Sequence, residues 1–231
     1  MQSIAIIPAR GGSKRIPLKN IKDFNGKPLI AYSIEAALYS GVFNEVVVST
    51  DDEQIAAIAR DFGAVTPFMR DSALADDFTG TDDVTLDAVR QMESIRRVHY
   101  DYFACIYATA PLLKPYDLQK AYDKFITEKA DYLYSCCEFP FPVQRAQYLD
   151  KDGTPCPFMP DCYNMRSQDL KKAYQDAGQF YFYSRNFFED KANLVRRAYE
   201  MPRLRVIDID TPEDFEIAKV MATVIESMHV K

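Results

Sequence analysis

The residues best suited to chemistry form a loop directly after the first apolar segment of the chain. Residues 8–20 read PARGGSKRIPLKN, in which Gly11 and Gly12 allow backbone amides to approach a ligand and Ser13 adds a hydroxyl donor. The loop also carries four cations that can neutralise phosphate oxygens, namely Arg10, Lys14, Arg15 and Lys19. Because the spacing matches neither the Walker motif nor GxGxxG, the usual ATPase and dinucleotide motifs lose support. We predict a phosphate-binding loop, with a solvated basic loop as the alternative.

Two acids near the C-terminus form a second candidate site. Asp208 and Asp210 stand at i and i+2 in an alternating apolar segment, so in a strand both carboxylates would share one face. Such a pair suits Mg²⁺, which binds one or two carboxylates together with water and phosphate oxygens; Mn²⁺ can take its place. The simpler alternative is that Asp210 or Thr211 caps the following helix. The phosphate loop in the same chain favours a metal-nucleotide site.

Apolar segments rich in β-branched residues predict the strands that position these two sites. The predicted strands cover residues 3–8, 45–50, 64–68, 102–108, 131–137, 179–183 and 203–209. Helical patterns lie between them, with predicted ends at Pro28 and Gly41 and predicted caps at Thr50/Glu53 and Thr211/Asp214. Alternating strands and helices predict a three-layer α/β/α Rossmann-like fold with a mostly parallel sheet and ligands at the strands' C-terminal ends.

Length and composition exclude several classes of protein. The 231 residues carry 28 Lys plus Arg and 34 Asp plus Glu, a net charge of -6, which argues against a nucleic-acid or membrane-surface partner. No apolar run approaches a membrane span, so we expect a cytoplasmic protein. The five cysteines show no CxxC spacing, and two histidines do not favour a histidine-dependent triad. We expect one domain, residues 1–231.

The alternation of predicted strands and helices is interrupted between residues 138 and 178. This segment is rich in proline and in apolar aromatic residues, namely Phe139, Phe141, Tyr148, Phe158 and Tyr163. Aromatic side chains in a segment with few helix signals call for a partner surface. We therefore predict an inserted arm that makes a homodimer contact, the alternative being a plain surface excursion.

Several motifs resemble one enzyme family over almost the full length of the chain. They are the opening loop, residues 25–30 (NGKPLI), residues 47–52 (VVSTDD) and residues 208–214 (DIDTPED). Together they are similar to the CMP-nonulosonic acid synthetase, or acylneuraminate cytidylyltransferase, family. Residues 76–81, 106–111, 138–142 and 176–181 most resemble the pseudaminic acid branch. The sialic acid branch usually carries QPTSP where residues 107–111 read YATAP.

The resemblance implies a nucleotide-diphospho-sugar transferase fold and a reaction between CTP and a nonulosonic acid that gives a CMP-sugar and pyrophosphate. It implies that the sugar is activated for surface or flagellar glycan synthesis. The nucleotide residues implied are Arg10, Gly11, Gly12, Ser13, Lys14, Lys19, Asn20, Arg70 and Thr81. The acceptor sugar is implied to contact Tyr107, Arg166, Gln179 and Tyr181. Arg10, Lys19, Asp208 and Asp210 are the implied catalytic residues, with the two acids as metal ligands.

Three alternatives remain open from the sequence. Within the family, the sugar could be sialic or legionaminic acid. From another class, a glycosyltransferase also uses an Asp-x-Asp pair, but the cationic loop suits a triphosphate better than a diphospho-sugar. A noncatalytic nucleotide-binding module is the third, and the presence of both acids argues against it.

Overall fold

The computed structural model describes residues 1–75, 79–190 and 192–228. The strands in these ranges are β1 (Ser3–Pro8), β2 (Asp23–Phe24), β3 (Lys27–Pro28), β4 (Glu45–Ser49), β5 (Tyr102–Ile106), β6 (Tyr132–Glu138), β7 (Gln147–Leu149), β8 (Pro155–Pro157), β9 (Tyr174–Ser184) and β10 (Arg196–Glu200). The α-helices are α1 (Leu29–Tyr39), α2 (Glu53–Asp61), α3 (Thr81–Arg96), α4 (Pro115–Thr127), α5 (Asn186–Glu189) and α6 (Pro212–Ser227). Short 3₁₀ turns cover Lys19–Ile21, Ser72–Leu74, Val143–Arg145, Pro160–Cys162, Ser167–Asp169 and Arg203–Arg205.

Six strands form the main sheet in the order β10-β6-β9-β5-β1-β4. The pairs β1–β4, β1–β5 and β10–β6 are parallel, whereas β9 runs antiparallel to both of its neighbours. The prediction of a mostly parallel sheet is confirmed. Because β1 lies inside the sheet, the loop that follows it emerges at the C-terminal edge of the parallel strands, where such folds bind ligands.

Successive side chains of β1 enter two different apolar clusters, one on each face of the sheet. Ala5 and Ile7 pack with α1, α2 and α4, whereas Ile4 and Ile6 pack with α3. All four side chains are fully buried. A strand buried on both faces needs helices above and below it, so the predicted three-layer arrangement is confirmed.

Two helix starts test the predicted caps. Thr211 and Asp214 cap α6 as a reciprocal capping box, which confirms that prediction. The predicted cap at Thr50 is wrong, because the Asp52 carboxylate accepts the Gln54 and Ile55 amides of α2. The helix predicted from Pro28 begins one residue later, with Pro28 as its N-cap.

The strand predictions fail at three places. Residues 203–209 form a 3₁₀ turn and an unpaired extended segment instead of a strand, while the neighbouring β10 was not predicted. Residues 64–68 contribute one isolated bridge, from Val65 to Val47. The strand predicted at 179–183 begins five residues earlier, at Tyr174, because it continues alongside the end of β6.

The predicted arm leaves the sheet after β6 and returns at the start of β9. Within it, β7 and β8 form a small antiparallel hairpin on which Tyr148 and Phe158 pack, with ring centroids 5.2 Å apart. Phe141 is 80% exposed, Leu149 69% and Phe158 64%.

In the described ranges, no helix is both long and apolar enough to cross a membrane.

Candidate active site

The cationic loop lines a cavity of about 490 Å³ at the C-terminal ends of β1 and β5, which we call the first cavity. Its described polar lining consists of Arg10, Ser13, Lys14, Arg15, Lys19, Asn20, Arg70, Thr79, Thr81, Tyr107, Thr109 and Asp210. Five of these side chains are cations and one is a carboxylate. A concave surface with this composition suits a polyanion that also presents hydrogen-bonding groups.

An apolar cluster on α6 holds the loop beside the acidic segment. Ile16 of the loop, Ile209 and Phe215 of α6 pack together, and each is at most 1% exposed. Because Ile209 stands between Asp208 and Asp210, its burial fixes the backbone on which both acids are carried. Tertiary packing thus joins two segments that lie almost two hundred residues apart in the sequence.

Two loop cations contact the acidic segment directly. Arg15 Nη2 lies 3.0 Å from Asp210 Oδ2, and Lys19 Nζ lies 3.6 Å from Asp210 Oδ1. Lys19 Nζ also donates a hydrogen bond of 2.5 Å to the Ile209 carbonyl. These contacts hold the carboxylate of Asp210 at the cavity wall.

The capping alternative for Asp210 does not hold. Thr211 and Asp214 provide the capping box, and the Asp210 amide donates to Asp214 at 3.1 Å. The carboxylate of Asp210 therefore stays directed toward the cavity. Asp208 is not among the described residues that line it, but partial burial and the negative charge of Asp210 raise the pKa of Asp208 above its ordinary value.

Gly11 has a role in the loop that the sequence did not predict. The Gly11 amide donates to Asp51 Oδ1 at 2.9 Å, and a Cβ on Gly11 would lie 2.7 Å from Asp52 Oδ2. Gly11 is therefore required because the loop passes close to the residues after β4. Neither Gly11 nor Gly12 is among the described residues that line the first cavity.

Backbone strain and a buried amide shape the end of the loop. Leu18 has φ 52° and ψ 34°, a left-handed conformation that costs a residue with a Cβ about 1–2 kcal/mol. The turn directs Lys19 toward the acidic segment and buries Asn20, whose Nδ2 donates to the Arg10 carbonyl at 3.0 Å. Asn20 thereby fixes the backbone at Arg10.

Arg70 enters the cavity wall from the far side of β4. It is 7% exposed, and its Nε donates to Ser49 Oγ at 3.1 Å while Nη2 donates to the Ser49 carbonyl. Burial lowers the pKa of Arg70, and the positive charge of Arg10 acts in the same direction against the opposing effect of Asp51. The guanidinium is thus a fixed cation next to Arg10.

A second cavity of about 570 Å³ adjoins the first, and Thr81 and Tyr107 line both. Its other described lining residues are Gly80, Asp82, Asp83, Asp176, Tyr181, Phe187, Phe188, Leu194 and Arg196. Burial raises the pKa of the Tyr107 hydroxyl, and the Tyr107 ring packs against that of Tyr181 with centroids 5.4 Å apart. Hydroxyl, carboxylate and aromatic groups in one cavity suit a polar ligand with many hydrogen-bonding groups.

The structure brings most of the predicted site residues together, but not all. Tyr107 and Tyr181, both predicted to contact the sugar, line the second cavity together. Gln179 is 2% exposed and donates to the Arg205 carbonyl at 2.5 Å, so it supports the chain that leads to the acids instead of lining a cavity. Arg166 is exposed in the arm and is not among the described residues that line either cavity. Residues 76–78, part of the 76–81 motif that carries the resemblance, lie outside the described ranges.

Sequence reasoning missed four charged residues of the site. Asp51 entered no site prediction, yet it accepts the Gly11 amide. Arg15 was recognised as a loop cation but not assigned to Asp210, Asp176 entered only as part of the 176–181 motif, and Arg196 entered no prediction. The positive charge of the loop was the only sequence signal that could have predicted the contact between Arg15 and an acid. The other three are brought to the site by strand pairing that the sequence did not reveal.

Comparisons with known proteins show which family the chain belongs to. The family model described as "Cytidylyltransferase" matches residues 4–225. The chain is 47% identical over 224 residues to a pseudaminic acid cytidylyltransferase of Campylobacter jejuni subsp. jejuni serotype O:2, covering 96% of each chain. It is 34% identical to N-acylneuraminate cytidylyltransferase A of Danio rerio, covering 93% of this chain and 49% of that protein.

A solved structure shares the fold. The structure of CMP:2-keto-3-deoxy-manno-octonic acid synthetase complexed with CTP superposes with a TM-score of 0.69 at 22% identity, covering 98% of this chain and 100% of that one. At this identity the likeness concerns the fold, which is the predicted one. The family match spans nearly the whole chain, so the prediction of a nucleotidyltransferase is confirmed over a glycosyltransferase or a noncatalytic module. The chain belongs to the cytidylyltransferase family.

Proposed function

We propose that this enzyme transfers CMP from CTP to a nine-carbon acidic sugar with release of pyrophosphate, and that the sugar is pseudaminic acid. The observation that carries the proposal is the pair of adjoining cavities, one rich in cations and the other lined by hydroxyl, carboxylate and aromatic groups. The relative that is 47% identical over 96% of both chains bears the pseudaminic acid name, which favours this sugar over sialic or legionaminic acid.

The first cavity supplies charge neutralisation and alignment for the transfer. Arg10, Lys14 and Lys19 hold the triphosphate, while Asn20 and Thr81 offer amide and hydroxyl groups to the cytosine ring. The anomeric hydroxyl of the sugar attacks the α-phosphorus, and the bond to pyrophosphate breaks as the new phosphorus–oxygen bond forms. Fixed cations stabilise the negative charge that develops on the leaving group.

The acids fit a divalent cation that arrives with the nucleotide. The two carboxylates stand two residues apart in the chain, and that of Asp210 lines the first cavity. The described residues hold no group of three or more acidic, histidine or cysteine side chains that could enclose an ion. Mg²⁺ takes its remaining ligands from water and phosphate, so Asp208 and Asp210 would suffice, and Mn²⁺ has the same oxygen preference. When bound, the ion would lower the pKa of the attacking hydroxyl and neutralise phosphate charge.

The arm supports a homodimer as the working assembly. Its exposed apolar side chains, Phe141, Leu149 and Phe158, form the kind of surface that a second copy of the chain would cover. Sedimentation equilibrium should give twice the chain mass of 26.5 kDa, and Leu149→Asp together with Phe158→Asp should give monomers. A wild-type monomer at micromolar concentration would reject this assembly.

A pyrophosphate-release assay tests the reaction and the sugar together. The enzyme is given CTP and Mg²⁺ with pseudaminic, legionaminic or sialic acid in parallel. We expect the largest kcat/KM with pseudaminic acid and loss of turnover when EDTA removes the metal. No pyrophosphate with any of the three sugars would overturn the proposed function, and a preference for another sugar would overturn the assignment of pseudaminic acid.

A further inference from the structure

The second cavity differs from the first in the sign of its charge. Its described lining includes three carboxylates, Asp82, Asp83 and Asp176, and a single cation, Arg196. An anionic ligand would be repelled by this wall unless its own charge lies elsewhere. The cavity therefore selects for the uncharged part of a substrate.

The chemistry of a nonulosonic acid decides which part that is. The carboxylate and the reacting hydroxyl are attached to the same anomeric carbon, which must lie near the α-phosphorus in the cation-rich first cavity. The rest of the sugar then extends past Thr81 and Tyr107, the residues common to both cavities. This part carries hydroxyl and acylamino groups, and an acylamino group presents an N–H donor to the acidic wall.

Asp176 is the acid whose geometry suits such a donor. Its Oδ2 accepts the Tyr181 hydroxyl at 2.9 Å and its Oδ1 accepts the Gly178 amide at 2.8 Å. Gly178 has φ 59°, so the turn that holds the carboxylate favours glycine. The Tyr181 ring packs against that of Tyr107 with centroids 5.4 Å apart, and Tyr107 lines both cavities, so the carboxylate lies at the end of a row of side chains that starts where the two cavities meet.

The carboxylate keeps the capacity to bind a ligand despite these two bonds. Each carboxylate oxygen has two lone pairs, so one remains on each oxygen of Asp176. Asp82 lies in the first turn of α3, where the helix N-terminus stabilises its charge, and it accepts the hydroxyl of the buried Tyr183 at 2.6 Å. Asp83 stands exposed in the first turn of α3, where the helix N-terminus stabilises its charge.

We propose that Asp176 is a specificity-determining residue that accepts a hydrogen bond from an acylamino N–H of the sugar acceptor. The proposal rests on the proposed function, since it assumes a nonulosonic acid in the second cavity. An ionised carboxylate accepts hydrogen bonds and cannot donate them, so Asp176 favours an N-acyl group over an O-acyl group of the same size. Tyr181 and the Gly178 turn fix the carboxylate before the sugar binds.

The test combines a protein change with a substrate change. The substrates are pseudaminic acid and analogues in which one acylamino group is replaced by an acyloxy group, which keeps the methyl and carbonyl groups but lacks the N–H. The variant Asp176→Asn retains an oxygen for the Gly178 amide but loses the negative charge. Asp61→Asn, at the exposed end of α2, makes the same chemical change outside both cavities.

For the acylamino sugar we expect Asp176→Asn to lower kcat/KM about 10- to 100-fold, the range of a hydrogen bond to a charged group. For one of the acyloxy analogues the loss should be less than about threefold, while the affinity for CTP and the activity of Asp61→Asn stay at the wild-type level. If Asp176→Asn does not fold, Asp176→Ser, which keeps a hydroxyl acceptor for the turn, takes its place.

Equal losses on the acylamino sugar and on every acyloxy analogue would show a structural role and overturn the proposal. An unchanged kcat/KM for the acylamino sugar would overturn it as well. A wild-type enzyme that releases no pyrophosphate with any nonulosonic acid would instead refute the proposed function, and this inference with it. The wild-type measurement thus separates the two failures.

Discussion

The buried ion pair between Asp117 and Arg205 offers a sharp test of how this fold holds its acidic segment. The Asp117 side chain is 0% exposed and that of Arg205 2%. Arg205 Nη2 donates to Asp117 Oδ1 at 2.9 Å and Nη1 donates to Oδ2, so the contact is bidentate. The Arg205 guanidinium also lies 5.1 Å from the Tyr116 ring centroid.

Burial and the contact with Asp117 shift the pKa of Arg205 in opposite directions, and the contact with Asp117 outweighs burial. Burial by itself would lower the pKa of Arg205, but the hydrogen bonds and charge of Asp117 raise it above its ordinary value. Asp117 additionally accepts the Lys114 amide at 3.1 Å, which completes the start of α4. Removing either partner therefore leaves a charge without its counter-ion in the interior.

We expect Asp117→Asn and Arg205→Met each to lower the free energy of unfolding by about 3–5 kcal/mol. With a urea slope of about 3 kcal/mol per molar for a chain of this size, the midpoint falls by about 1–2 M. The double variant Asp117→Asn/Arg205→Met should lose clearly less than the sum of the two, because no buried charge is left.

Urea unfolding followed by circular dichroism measures all three variants against the wild type. Single losses below about 1 kcal/mol would mean that water reaches the pair and that its burial contributes little. Additive losses in the double variant would mean that the two side chains do not interact as the geometry indicates. Either result would refute the reasoning.

Two further predictions concern the candidate site. Asp210→Asn should keep the fold and lower kcat about 100-fold or more, because the proposed metal loses a charged ligand; near wild-type turnover at saturating Mg²⁺ would remove Asp210 from the metal site. Gly11→Ala should destabilise the enzyme by about 1–3 kcal/mol, since its Cβ meets Asp52 at 2.7 Å, whereas Gly12→Ala, with nothing within 4 Å, should be near neutral. Thermal unfolding compares the two alanine variants, and equal midpoints would contradict the packing argument.

Strands in the interior of the sheet could be predicted because their sequences are apolar throughout. β1 and β4 are buried on both faces, which requires the continuous aliphatic runs seen at Ile4–Ile7 and Val46–Val48. β10 lies at the sheet edge and reads RRAYE, with no residue fully buried, so it carries little hydrophobic signal. Residues 203–209 alternate like a strand, but their apolar side chains and Arg205 serve packing against α4 and α6.

The part of the candidate site that could be predicted consists of residues marked by their charge or by a short, local spacing. The loop cations stand out in an acidic chain, and the Asp208/Asp210 pair follows from a local pattern. The part contributed by Asp51 could not be predicted because it accepts the amide of Gly11, 40 residues away in the sequence. Asp176 could not be predicted because the pairing of β9 with β6 brings it to the second cavity. Gln179 was predicted to contact the sugar, but in its buried strand it donates a hydrogen bond to the backbone at Arg205 and so supports the fold.

The distribution of charge explains how a chain with a net charge of -6 can hold a triphosphate. At 0.1 M salt, exposed charges separated by more than about 10 Å are largely screened, so most of the surface acids contribute little to the first cavity. A cation about 4 Å from a phosphate oxygen interacts with it by roughly 4 kcal/mol at an effective dielectric constant of 20. The cavity wall carries Arg10, Lys14, Arg15, Lys19 and Arg70 against one acid, and these contacts outweigh the net charge. The acids of the second cavity act over the same short range, so under the proposed function the two cavities would orient a substrate that is anionic at one end only.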